Sequence, residues 1–149
     1  MQLALYKGRT RLFDRAVQWW TRSTYSHCEL VFSTDRNGES VCGSSSYLDG
    51  GVRIKNMVLD PTKWDIVDLP GFDAVRASKW FDVHAGQRYD VLGLFGFVLP
   101  FMRDDRSRWF CSEACAAAIG LGDAWRYSPG ALAALAKSQA ASPATGQEG

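Results

Sequence analysis

Two residues in this chain are equipped to do covalent chemistry. His27 stands at the head of an apolar run, Tyr25-Ser26-His27-Cys28-Glu29-Leu30-Val31-Phe32, and Cys111 lies in Trp109-Phe110-Cys111-Ser112-Glu113-Ala114-Cys115. An imidazole that takes a thiol proton yields a thiolate nucleophile, and the N-terminus of a helix favours the resulting negative charge. Cys111 falls where such a helix is expected to begin, after a polar loop and before a run of alanines. The rival reading of any single cysteine is a small buried hydrophobe. That reading suits Cys115, one turn deeper on the same face.

The strand alternation puts His27, Glu29 and Val31 on one face and Cys28, Leu30 and Phe32 on the other. A buried histidine and carboxylate cost several kcal/mol unless each finds a partner. A Cys–His–acid set supplies them, because the thiolate pairs with the imidazolium and the acid orients the ring. Glu29 has alternatives in a backbone amide or in Arg53. Tyr6, Tyr25 and Trp109 are expected to line the substrate site, and the Cys111 backbone N–H could serve an oxyanion. His84 falls in the last turn of a helix, where a cation suits the dipole, and is read as structural.

Around these residues the elements follow from patterning. Leu3 to Tyr6 reads as a strand. Thr10 would cap a helix from Arg11 to about Arg22, with Leu12, Ala16, Val17, Trp19 and Trp20 as its apolar face. The turn Thr34 to Gly38 links the histidine strand to Glu39–Ser45, and Gly50-Gly51 leads into Val52–Val58. Trp64–Leu69 is a further strand. Asp73 would cap a helix from Ala74 to about Ala85, and Asp90 a helical piece running to Pro100. Arg103–Arg108 is expected as a loop, followed by the cysteine helix to Gly120 or Gly122 and a last helix, Gly130 to Ala136. The whole is α+β: residues 1–137 as one domain with a small antiparallel sheet packed against helices, and 138–149 as a disordered tail.

Composition excludes several classes. The 149 residues are 46% hydrophobic and 22% charged with a net charge of +1, an ordinary globular mix with no bulk charge favouring nucleic acid or an anionic membrane. No stretch approaches the roughly 20 apolar residues of a membrane span, and the Met1–Lys7 start lacks the pattern of a signal peptide. The four cysteines show neither disulfide-framework nor zinc spacing, so free thiols in a reducing cytoplasm are expected. Neither a metal nor an organic cofactor is called for.

The ordered set of motifs resembles the circularly permuted branch of the NlpC-type papain-like cysteine hydrolases, which also contains lecithin:retinol-acyltransferase-like proteins. It comprises Ala16-Val17-Gln18-Trp19-Trp20-Thr21 leading to Tyr25-Ser26-His27, then Ser44-Ser45-Ser46, Gly50-Gly51-Val52-Arg53, Gln87-Arg88-Tyr89-Asp90-Val91-Leu92-Gly93, Phe110-Cys111-Ser112-Glu113 and Tyr127-Ser128-Pro129. Histidine before cysteine is the order a permuted papain-like chain has. The resemblance implies a barrel-like sheet against the cysteine helix, Cys111 as nucleophile and His27 as base. It also places the family's third polar group near Val41-Cys42-Gly43, where Cys42 is a poor orienter. Glu29, a nearby serine or a backbone carbonyl would then serve.

The leading expectation is a cysteine peptidase or amidase that forms an acyl-enzyme on bacterial peptide or peptidoglycan-stem amides. A phage or prophage product, virion-borne or released at lysis, would reconcile that substrate with the missing export signal. The alternatives are a lipid acyltransferase or thioesterase, with an apolar groove from Leu92–Met102, and a non-catalytic binding domain.

Overall fold

The computed structural model describes residues 1–90 and 108–141. The expected helical piece after Asp90, the Leu92–Met102 groove, most of the Arg103–Arg108 loop and the tail beyond Ala141 lie outside them. The described chain is α+β, with a curled seven-stranded sheet shaped as a half-barrel. Its elements are β1 (Gln2–Tyr6), α1 (Leu12–Trp20), β2 (His27–Thr34), β3 (Glu39–Ser46), β4 (Gly51–Val58), β5 (Trp64–Asp68), α2 (Ala74–His84), β6 (Arg88–Tyr89), β7 (Arg108–Trp109), α3 (Cys111–Ala118) and α4 (Pro129–Ala141). A short 3-10 turn, Ala124–Arg126, links the last two helices.

The strand order is β5-β1-β2-β3-β4-β6-β7, antiparallel throughout except for the β6–β7 pair. β1 is central to the site, because its last residue, Tyr6, stands opposite His27 on one side and Trp64 on the other. β3 is rich in serine and glycine, yet it is covered closely. A Cβ on Gly43 would come 2.7 Å from the Phe81 ring and 2.9 Å from the Phe32 ring. Only glycine lets those two rings press on the strand.

Leu3, Leu5, Cys28, Leu30 and Val52 on one face of the sheet form the main core with Phe81, Ala114, Cys115, Leu132 and Ala136 from the helices. Phe81 is fully buried, and truncating such a ring costs about 3–5 kcal/mol. A smaller cluster, Ala4, Val31 and Cys42 against Met57, Leu59 and Trp64, occupies the other face. Period-2 alternation therefore puts His27 and Glu29 on that second face.

Three expectations are corrected. The Thr10 hydroxyl bonds the Tyr6 hydroxyl at 3.2 Å, and the cap of α1 is instead Arg11, whose N–H donates to Asp14 at 3.2 Å. Of the expected apolar face, Val17 is buried and Trp20 packs against the core, but Leu12, Ala16 and Trp19 face outward, and Gln18 turns inward beside Val17. The Gln18 amide donates to the carbonyls of Gly8 (3.2 Å) and Thr24 (2.8 Å), so polar contacts seat this helix. The last helix continues to Ala141, since Lys137-Ser138-Gln139-Ala140-Ala141 is an acceptable helical sequence rather than the start of a tail.

Candidate functional site

α3 starts where it does because Phe110 is extended (φ −77°, ψ 157°) and Glu113 reaches back to its N–H at 3.2 Å. Cys111 is thereby the first helical residue, among N–H groups that have no carbonyl one turn earlier. The small side chains Ala114, Ala116 and Ala118 let the helix sink until nearly every residue is buried. Its start meets β2 at that strand's first residues. There the Cys111 sulfur hydrogen-bonds with the His27 ring and with Cys28.

His27 Nε2 donates to Glu29 Oε1 at 2.9 Å, and the same ring hydrogen-bonds the Cys111 thiol. Glu29 is 1% exposed and receives both Arg53 terminal nitrogens, each at 2.6 Å. Arg53 Nε in turn donates to Asp49 at 2.7 Å, and Lys55 joins Asp49 at 2.6 Å. A continuous chain of alternating charge thus runs from the thiol to the surface.

The electrostatics follow. Burial opposes a charged ring at His27, but the thiolate beside it and then Glu29 outweigh that and raise the imidazole to about 10. Burial likewise opposes the Cys111 thiolate. The Cys28 hydrogen bond and the imidazolium reverse the balance and lower the thiol to about 5. Burial would lift Glu29, yet Arg53 and His27 hold its carboxyl at about 2. These shifts favour a thiolate–imidazolium pair at neutral pH, with Glu29 ionised beside the ring.

Of the sequence-predicted residues, Cys111, His27 and Glu29 come together, and Tyr6 borders them. Tyr25 and Trp109 do not border the cavity that opens beside His27. Tyr25 is buried and donates its hydroxyl to Asp65 at 2.8 Å, because β5 lies close on that side. Trp109 is held in β7 by Gln87 and packs edge-on against Trp80, centroids 4.8 Å apart. His84 lies in the same aromatic cluster, stacked on Trp80 at 4.0 Å, with its Nδ1 on the Trp80 carbonyl. Cys42 is buried in the second cluster and its thiol is pushed up to about 12 by burial, so it orients nothing.

Sequence reasoning missed Cys28, whose thiol sits against Cys111 and is raised by burial. The strand alternation contained the signal, since it puts Cys28 on the face where α3 packs. It also missed Asp49 and Lys55, which flank the Gly50-Gly51 turn and steady Arg53.

A cavity of about 660 Å³ opens beside His27 and Glu29. Tyr6, Phe13, Tyr47, Trp64 and Tyr89 give it aromatic walls, Leu48 and Met57 aliphatic ones, and Arg11, Ser46 and Lys55 polar edges. Cys111 is fully buried and does not border this space. Contact between sulfur and substrate therefore requires the packing beside His27 to open. Among the described residues no group of three or more His, Cys, Asp or Glu could hold a metal ion, and no helix is long and apolar enough to cross a membrane. No protein-family model matches the chain, and no curated protein is significantly similar to it in sequence.

Proposed function

We propose that the protein is a cysteine hydrolase that works through an acyl-enzyme. The observation that carries this reading is the His27 ring, which bridges Cys111 on one side and the Arg53-clamped Glu29 on the other. The Cys111 thiolate attacks the substrate carbonyl carbon, and the carbonyl electron pair moves onto oxygen beside the Cys111 N–H. Protonated His27 gives its proton to the leaving group as the tetrahedral adduct collapses to a thioester. Neutral His27 then takes a proton from water, whose oxygen attacks the thioester carbonyl, and collapse of the second adduct releases the acid and restores the Cys111 thiolate beside protonated His27. Glu29 keeps the ring oriented and charged through the first half.

The aromatic and aliphatic walls of the cavity support an apolar or aromatic acyl group, a thioesterase or acyl hydrolase chemistry. Peptide or peptidoglycan-stem amides are the rival substrate class in the same mechanism. Incubation with a panel of fatty-acyl thioesters and esters beside short peptidyl amides separates them. Acyl substrates should turn over at least about tenfold better in kcat/KM, one tenfold step being roughly 1.4 kcal/mol of differential binding. Cys111→Ser should abolish turnover while leaving the fold intact.

A second reading, a non-catalytic domain of papain-like design, is favoured by the complete burial of Cys111. It predicts no turnover of either class and no selective alkylation of Cys111.

A further inference from the structure

The outward face of α1 has no role in the site chemistry, and although Val17 and Trp20 pack inward, that outward face still presents large apolar side chains that an ordinary surface helix would bury. At 3.6 residues per turn Leu12, Ala16 and Trp19 form one stripe. Leu12 is 82% and Trp19 78% exposed, while the inward side of the helix is seated partly by the Gln18 amide. The apolar surface continues beyond the helix. Phe13 stacks on Tyr47 with centroids 6.3 Å apart, and the exposed Tyr47 is followed by the exposed Leu48.

Charge borders this stripe. Residues 9–22 contain Arg9, Arg11, Arg15 and Arg22 against the single acid Asp14, in a chain whose net charge is only +1. All four arginines are exposed. Arg11 and Arg15, four residues apart, run along one edge of the stripe, and Arg22 follows the last turn. Asp14 is occupied at the helix start by the Arg11 N–H. Leucine and tryptophan outward with arginines at the margin is the arrangement of a helix that lies in a lipid–water interface.

We infer that α1 docks the protein on an anionic lipid surface, with Leu12 and Trp19 entering the headgroup region and the arginines pairing with lipid phosphates. The bulk charge, near neutral, hides this because a surplus of acids in the rest of the chain offsets the basic excess of this segment. Arg11 and Phe13 belong to α1's setting and also line the cavity. A docked helix therefore brings the cavity to the lipid surface, and acylated amphiphiles become its substrates; this last step rests on the proposed function, the docking itself does not.

The test is co-sedimentation of the full chain with phosphatidylcholine vesicles, with and without phosphatidylglycerol. Binding is expected to the phosphatidylglycerol vesicles at low salt and to weaken as salt rises. Leu12→Ser/Trp19→Ser should lower the partition coefficient on the order of a hundredfold. Arg15→Gln should lower it about fivefold. These side chains are exposed, so circular dichroism and thermal unfolding should match the parent. Cys111→Ser should bind like the parent, which keeps a failure of docking distinct from a failure of catalysis. The inference is overturned if the parent stays unbound at low salt or if the double variant binds equally well. It is also overturned if the chain dimerises in sedimentation velocity and the double variant is monomeric, because a second copy then covers the stripe.

Discussion

Glu29 carries more of the site's electrostatics than any other side chain. Its carboxylate is inside the protein, and both oxygens are committed, one to Arg53 and one to Arg53 and His27 together. Glu29→Gln keeps the shape and removes the charge, so Arg53 is left buried without its bidentate partner. The expected loss is about 3–5 kcal/mol of unfolding free energy, read from urea denaturation. The sign of the pH dependence follows from the lowered carboxyl. The folded value is about 2 against an ordinary value of 4.5. The Glu29 contribution is therefore complete above the ordinary value and disappears as pH falls toward the folded one. The parent should lose stability through that acid window, and Glu29→Gln should lose less.

At the scale of elements, much of the architecture was legible. The turn at Thr34–Gly38 and the alternation around it placed β3 and β4 within a residue of their observed bounds, while β2 runs two residues past the expected Phe32. Asp73 caps α2 as its position suggested, accepting from Val75 at 2.9 Å and Arg76 at 3.1 Å. β6 and β7 were not legible, because two residues carry no period. Part of the face of α1, Leu12, Ala16 and Trp19, was misassigned for a different reason. Periodicity identifies an apolar stripe but not which way it points, and the contacts of Gln18 that decide this come from distant carbonyls. Within the site, alternation brought His27 and Glu29 together and Arg53 was among the partners expected for Glu29, whereas Asp49 and Lys55 join Arg53 only through the β3–β4 turn and strand. Gly51 shows how strict that corner is. Its φ is +147°, and a Cβ there would lie 1.9 Å from the Gln87 carbonyl oxygen. Gly51→Ala should cost at least about 1–3 kcal/mol in thermal unfolding, from strain plus lost pairing to β6.

Taken as a molecule, the protein sets Cys111 of a late helix against His27 of an early strand, with the sheet bringing the two together. Neither face of the sheet alone contains the site. Cys111 comes from the helical side and Glu29 from the cavity side, while His27, at the strand's first residue, reaches both. That arrangement explains why a fully buried thiol can still be ionised, since its counter-charge is built into the edge of the core. Below about 5 the thiolate is lost and above about 10 the imidazolium is lost, so the reactive pair exists between those limits. The direct test is alkylation by iodoacetamide across the pH range, followed cysteine by cysteine in a mass spectrometer. Cys111 should react alone among the four at mildly acidic pH, with an onset near 5. In His27→Ala that onset should move up toward the ordinary thiol range. Cys111 labelling no sooner than Cys28, Cys42 and Cys115, or an onset unchanged by the loss of His27, would contradict the pairing of Cys111 with His27.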